Sequence, residues 1–345
     1  MRKSFFTLAV IGVIVSIVAT SCQSAIQQES SIDGTIQSGV SDILKKHLKE
    51  FDAEAGKVIV VETTTGKVRV MEDLTKNDNE YETSYNFFEY CHNSGLGQGV
   101  SLLAILEKGV LTLDSKIDTG NGVYIRKEYG DTIFDHNWHH GGYGKMTLRD
   151  VFSKCSNVGM VRAIEQSFSN PNGWIEQERK IIDEDGAPNS FNGYTQGWQA
   201  YYYLLDFYNA IANNGKMIVT SDKEDSVIVA NPQIAKAENI DSMKSVLRYF
   251  VTDGIAKKAN SDKVKIAGAC ATKKMDNGSI YGDFIGYFPA DKPKYTVFVS
   301  LKRKSSPMSA GGMCGPIFKA IAEYLCNPNV NYKSWGSQLN CVKRY

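Results

Sequence analysis

"HNSGLGQGVSLLAILEKGVL", residues 92–111, joins two patterns that pull apart. Its second half, Ser101–Lys108, is mostly apolar, which predicts a buried helix. Its first half carries glycines at 95, 97 and 99, where that helix should start, and glycine is a poor helix former. What the glycine-rich start is for depends on the fold it belongs to.

Toward the N-terminus, "KVIVVETTTGKVRVM" (57–71) is two β-rich runs around a Thr-Gly turn and predicts a hairpin. Ahead of it, Ile36, Val40, Leu44, Leu48 and Phe51 fall near helical spacing, so an amphipathic helix is expected up to Ala53. Residues 75–82 read as a polar loop. Toward the C-terminus, "KMTLRDVFSKCSNVGMVRAIEQSF" (145–168) holds two helical stretches with Cys155-Ser156-Asn157 between them. Residues 198–214 predict an amphipathic helix that packs Tyr201, Leu204, Leu205 and Tyr208 inward and stops at Gly215. Strands are expected at 264–269, 283–288 and 295–301, with "PADKP" turning between the last two, and a helix over 315–325. Strands at both ends and helices between predict an α+β fold, with one antiparallel sheet built from both ends of the domain around a helical middle. The chain shows no internal repeat, coiled coil or glycine-rich phosphate loop.

The 345 residues, 42% hydrophobic and 22% charged, suit a globular protein with a substantial core. A net charge of +1 gives no global attraction to nucleic acid, and none is expected as a partner. Arg2 and Lys3 precede an apolar run from Phe5 to Val18, shorter than the roughly 20 residues a spanning helix needs. Ala19-Thr20-Ser21-Cys22 follows. This is the pattern of an export signal, and the cysteine after small residues resembles a bacterial lipobox. In that class of signal the cysteine, here Cys22, is diacylated and anchors the protein to a membrane. A plain signal peptide or an uncleaved anchor are the alternatives. The expected division is a lipoprotein signal over 1–22, a tether over 23–34, one domain over 35–330 and a tail over 331–345. The expected location is exported and lipid-anchored, facing the periplasm or the cell exterior.

Six stretches then match a known family in order. They are "VIVVETTTGKVRVM" (58–71), "LLAILEKGVLTLDSKID" (102–118), "GYGKMTLRDVFSKCSNVGMVRAIEQ" (142–166), "YNAIANNGKMI" (208–218), "IAGACATKK" with "DFIGYFPADKPKYTVFVSL" (266–301), and "GGMCGPIFKAIAEYL" (311–325). Together they resemble the transpeptidase domain of penicillin-binding proteins, close to the class B cell-division and elongation enzymes. The resemblance covers about residues 50–326, without the family's extra N-terminal domain. It implies the penicillin-binding transpeptidase or serine β-lactamase-like fold.

The family's chemistry rests on S-x-x-K, S-x-N and K-[ST]-G. The serine needs an adjacent base to attack a D-Ala-D-Ala carbonyl, and a lysine one helical turn on can supply it. The third motif binds the substrate carboxylate and helps form the oxyanion hole. Counting back from Glu107 and Lys108, the serine position falls on Gly95 and the lysine position on Gln98. A shift by one makes Ser94 the serine and puts Gly97 at the lysine. The second motif reads Cys155-Ser156-Asn157, so only Asn157 keeps its type. The third reads Ala269-Cys270-Ala271, followed by Thr272. Neither S-x-x-K nor K-[ST]-G occurs anywhere in the chain.

The resemblance therefore implies a member degenerate in all three motifs, with no catalytic residue expected and Asn157 and Thr272 as residual binding groups. Cys155 is the better candidate for a substitute nucleophile, provided its pKa is depressed. Cys155 and Cys270 face each other across the family's cleft, either as a disulfide or as two free thiols. "DHNWHH" (135–140) offers a metal site or a solvated aromatic loop, and the loop is the reading adopted, with no metal or other cofactor. The expected role is non-catalytic, in binding peptidoglycan stem peptides or docking on cell-wall synthesis proteins. Two alternatives compete: a residual D,D-transpeptidase or carboxypeptidase with altered residues, and a sensor that binds stem peptide or β-lactam without making a bond.

Overall fold

A computed structural model of the chain describes residues 30–84, 95–182, 199–224, 227–304 and 308–327. Helix α1 (Gly34–Glu50) turns Ile36, Val40, Leu44 and Leu48 inward, as their spacing predicts, and is capped by the Asp33 carboxylate. Strands β1 (Ala55–Glu62) and β2 (Val68–Asn77) form the expected hairpin. Residues 75–82 are not a loop. Strand β2 continues through Asn77 and pairs with β3 (Glu80–Thr83), so the polar residues belong to an exposed strand end rather than a linker. Tyr81 fixes that end, donating its buried hydroxyl to the carbonyls of Leu48 and Ala53.

The middle begins with α2 (Gln98–Lys108), buried on nearly every side from Gly99 to Leu106. Short strands follow: β4 (Lys116–Asp118), β5 (Val123–Arg126), β6 (Asp131–Phe134) and β7 (Lys145–Thr147), pairing β4 with β7 and β5 with β6. Helices α3 (Leu148–Ser153), α4 (Asn157–Ser167) and α5 (Pro171–Ile182) come next, and α2 packs on all three. Helix α6 (Gln199–Ala212) buries Leu204, Leu205 and Tyr208 as predicted; the Tyr201 side chain lies outside what is described. Strands β8 (Met217–Ile218) and β9 (Val229–Asn231) and helix α7 (Ala237–Thr252) complete the middle.

Strands β10 (Ala267–Lys274), β11 (Ser279–Phe288) and β12 (Tyr295–Lys304) return to the sheet, and α8 (Ala310–Leu325) closes the fold. The sheet is antiparallel with the order β10-β11-β12-β1-β2-β3, so the two ends of the domain meet where β12 pairs with β1 along Ala55 to Glu62. This is the α+β architecture the sequence predicts. Helices α1 and α8 cover one face: Leu44 and Leu48 crowd Gly56, and Phe318 stacks on Phe284 and Phe288. Helix α6 covers the other, where Asn209 donates to the Thr63 carbonyl and accepts from the Thr296 hydroxyl. The strand expected at 264–269 lies three to five residues further on. Val264 and Ile266 are buried ahead of β10, while its second half is the polar Thr272-Lys273-Lys274 of an edge strand. Helix α8 starts five residues before the predicted Gly315, because the Ser309 hydroxyl accepts from Gly312 N–H and caps it there.

Candidate functional site

Three elements converge at the start of α2. Gly95 sits in the left-handed region at φ +86°, and a Cβ built there would lie 3.7 Å from the Ala271 Cβ on edge strand β10. One turn along, Gln98 donates from Nε2 to Asn157 Oδ1 at 3.1 Å. Asn157 in turn donates from Nδ2 to the Phe134 carbonyl at 3.0 Å. Cys155 donates from Sγ to the Cys270 carbonyl at 3.5 Å. Gly95, Gln98, Cys155, Asn157, Cys270 and Ala271 thus lie in one neighbourhood. Ser94 lies outside the described residues, as do Cys22, Cys91 and Cys341.

Local sequence explains why the parts hold position. The Tyr208 hydroxyl, buried under the start of α2, donates to the Leu96 carbonyl at 2.9 Å. Between α3 and α4, Cys155 takes a left-handed φ of +51°, unusual for a non-glycine residue and costing on the order of 1 kcal/mol. That kink lets Ser156 cap α4 by accepting from Gly159 N–H at 2.9 Å. Thr272 lies on the strand but is not an open binding group: its hydroxyl accepts from Ala310 N–H at 2.8 Å, at the first turn of α8. Ala269 is buried in the same strand.

The stretch 135–140 is not simply a solvated loop. Asp135 is completely buried, and its carboxylate accepts from the Ser156 hydroxyl at 3.0 and 2.8 Å and from Val158 N–H at 2.9 Å. It clamps the turn that presents Cys155 and Asn157. His136 Nε2 meets the Tyr143 hydroxyl at 2.9 Å, while the ring of His139 stacks on Trp138. Among the described residues no group of three or more His, Cys, Asp or Glu is placed to hold a metal ion. A single acidic residue before an aromatic run carries no sequence signal for this clamp; its role appears only when β6 meets α4. Asp135→Ala leaves a buried hydroxyl and a buried N–H unpaired, and is expected to cost about 2–4 kcal/mol. Urea denaturation measures it, and a cost below about 1 kcal/mol would remove the carboxylate from this role.

The chemistry open to the cluster follows from its atoms. Gly95 offers no side chain and Gln98 and Asn157 offer neutral amides. The Cys155 thiol is pushed up to about 12 by burial, and burial, then the neighbouring Cys155 and Cys314, holds the Cys270 thiol well above its usual range. Both therefore stay protonated at neutral pH, and both are free thiols rather than a disulfide. Lys154, next in sequence to Cys155, turns instead over the Tyr143 ring at 5.6 Å. The cluster can donate and accept hydrogen bonds.

Comparison with known proteins gives a consistent picture. The family profile for the penicillin binding protein transpeptidase domain matches residues 56–323. Among solved structures, the transpeptidase domain of penicillin-binding protein 3 from Burkholderia pseudomallei superposes with a TM-score of 0.69 at 20% identity, covering 89% of this chain and 99% of that one. Penicillin-binding protein 3 from Mycobacterium tuberculosis gives 0.67 at 18% identity, over 85% of this chain and 77% of that one. The transpeptidase domain of the FtsI4 D,D-transpeptidase from Legionella pneumophila gives 0.61 at 17%, over 86% and 98%. At these identities the likeness speaks to the fold. A search of curated protein sequences finds no match.

Proposed function

The chain belongs to the penicillin-binding protein transpeptidase family, and from that membership we propose that it is a catalytically degenerate, lipid-anchored member acting at the peptidoglycan without forming an acyl-enzyme. The observation that carries this reading is the backbone at Gly95. At φ +86° the chain is in a conformation that side-chain-bearing residues rarely adopt, so the position aligned with the family's serine is shaped for glycine. The other substitutions agree with it. Gln98 spends its amide on Asn157 instead of acting as a base, and Ala269 and Cys270 offer no charge to a substrate carboxylate. The protonated Cys155 thiol counts against a cysteine-based replacement.

What remains is a transpeptidase scaffold with hydrogen-bonding groups in its old cleft. It suits weak binding of a stem peptide, or docking on proteins of cell-wall synthesis. The membrane attachment is carried by the lipobox-like Ala19–Cys22 sequence. Folded protein incubated with a fluorescent penicillin and read by intact mass is expected to stay unmodified. A stable adduct would overturn the reading in favour of a residual D,D-transpeptidase or carboxypeptidase. Loss of the nucleophile alone costs serine hydrolases on the order of 10⁶ in rate, so the two outcomes are far apart.

A further inference from the structure

The fold takes up the chain earlier than the predicted tether allows. Ser30 bridges to Lys223, Ser31 N–H donates to the Asp222 carbonyl at 2.9 Å, and the buried Ser31 hydroxyl donates to the Val68 carbonyl at 2.7 Å. The same segment that receives Ser30 carries β8, and Val219 N–H donates to the Ile228 carbonyl at 2.9 Å. From Val219 to Lys223 is four residues, about 13 Å of extended chain. Where the chain runs into β9, the structure leaves three consecutive apolar side chains open: Val227, Ile228 and Val229 are 48%, 55% and 41% exposed. Ile32, two residues past Ser30, is 39% exposed.

We propose that the Val227–Val229 ridge, with Ile32, is a membrane-contact surface that rests on the lipid leaflet holding Cys22. This rests on the lipid-anchor reading above. The argument is one of reach. From Cys22 to Ser30 the chain spans at most about 28 Å, while a domain of this size is roughly 50 Å across. So short a tether keeps the Ser30 face toward the lipid, and the ridge stands on that face. Nearby charges give no surplus of attraction to anionic lipid: Lys67 pairs with Glu224, Arg69 pairs with both Glu62 and Glu224, and exposed Lys223 stands beside exposed Asp222. The contact is therefore apolar, with the side chains entering the boundary between headgroups and acyl chains.

The test uses the full-length lipidated protein, purified from its membranes and reconstituted in vesicles of phosphatidylcholine with brominated acyl chains. Intact mass first reads the diacyl adduct on Cys22. Fluorescence of Ile228→Trp, after subtraction of the wild type, is then compared with that of Ile125→Trp, an exposed site on the β5–β6 hairpin of the helical middle. The indole introduced at 228 is expected to be quenched at least about twofold by the brominated lipid and shifted to the blue, as for a side chain at the membrane interface, and the one at 125 neither. Equal quenching at both sites, or none at 228, with the adduct present overturns the contact surface and leaves the anchor standing. Absence of the adduct overturns both. A dimer in detergent that Ile228→Asp dissociates identifies a second copy as the occupant and also overturns the proposal.

Discussion

Gly286→Ala is expected to cost more than about 4 kcal/mol and to leave little folded protein. Gly286 on β11 pairs with Gly268 on β10, the strand that carries Ala269–Thr272. A Cβ at 286 would stand 2.3 Å from the Ala267 carbonyl oxygen and 2.8 Å from the Gly268 Cα. Both are backbone atoms of the paired strand, so no rotamer change relieves the clash. Strand β10 would have to leave the sheet, and it is held from one side only because it is the edge. The control is Gly34→Ala at the start of α1, where nothing lies within 4 Å of the added Cβ. There alanine is the better helix former, and a gain of up to about 1 kcal/mol is expected. Urea denaturation of both variants reads the difference. A cost below about 1 kcal/mol at 286 would mean that the two strands stand too far apart for the 2.3 Å clash with the Ala267 carbonyl oxygen.

The same strand pair shows where the sequence was legible and where it was not. Hydrophobic periodicity locates α1 and α6, since each buries one regular face and its spacing records it, while the β1–β2 hairpin, whose first strand is buried on both faces, is marked by its two β-rich runs around a Thr-Gly turn. It misplaced β10, because the apolar signal at Val264 and Ile266 reflects burial beside the strand, while the strand itself runs into Thr272-Lys273-Lys274. It read residues 75–82 as a loop for a related reason: an exposed strand end paired on one side need not be apolar. At the site, the six stretches in order were enough to place Gly95 near Cys155 and Cys270. They did not reveal that the Cys155 thiol bonds to the Cys270 backbone, nor that Thr272 is used on α8. They gave no sign of Asp135, because a buried carboxylate that clamps a turn 21 residues away is a product of topology.

Stability is expected to fall by several kcal/mol between pH 5 and pH 8, and two buried carboxyls account for most of it. Glu178 on α5 accepts from the Ser101 hydroxyl of α2 at 2.6 Å, and burial raises it from 4.5 to about 7. Asp206 on α6 accepts from Thr220 N–H at 2.8 Å and from its hydroxyl at 2.5 Å, and burial raises it from 3.8 to about 7. Burial also raises Glu72 and Asp73, in the same direction. A carboxyl raised on folding holds its proton more tightly in the folded state. Its contribution is fully present below the unfolded value and is lost as pH rises through the folded one. At about 1.4 kcal/mol per unit, each of the two is worth roughly 3 kcal/mol across that window. Glu178→Gln and Asp206→Asn replace each acid with a neutral group of similar shape that can still accept the same hydrogen bonds. Each should remove roughly 3 kcal/mol of the fall, and the double variant should keep only the part that Glu72 and Asp73 contribute and be more stable than wild type at pH 8. Urea midpoints at pH 5 and pH 8 measure all four proteins. A wild type equally stable at both values, or amides that leave the slope unchanged, would show that these carboxyls ionise as freely in the folded chain as in the unfolded one. The helix beneath Gly95 would then be tied to α5 by an ordinary charged hydrogen bond, and neutral pH would put no strain on the packing that holds the Gly95 cluster in place.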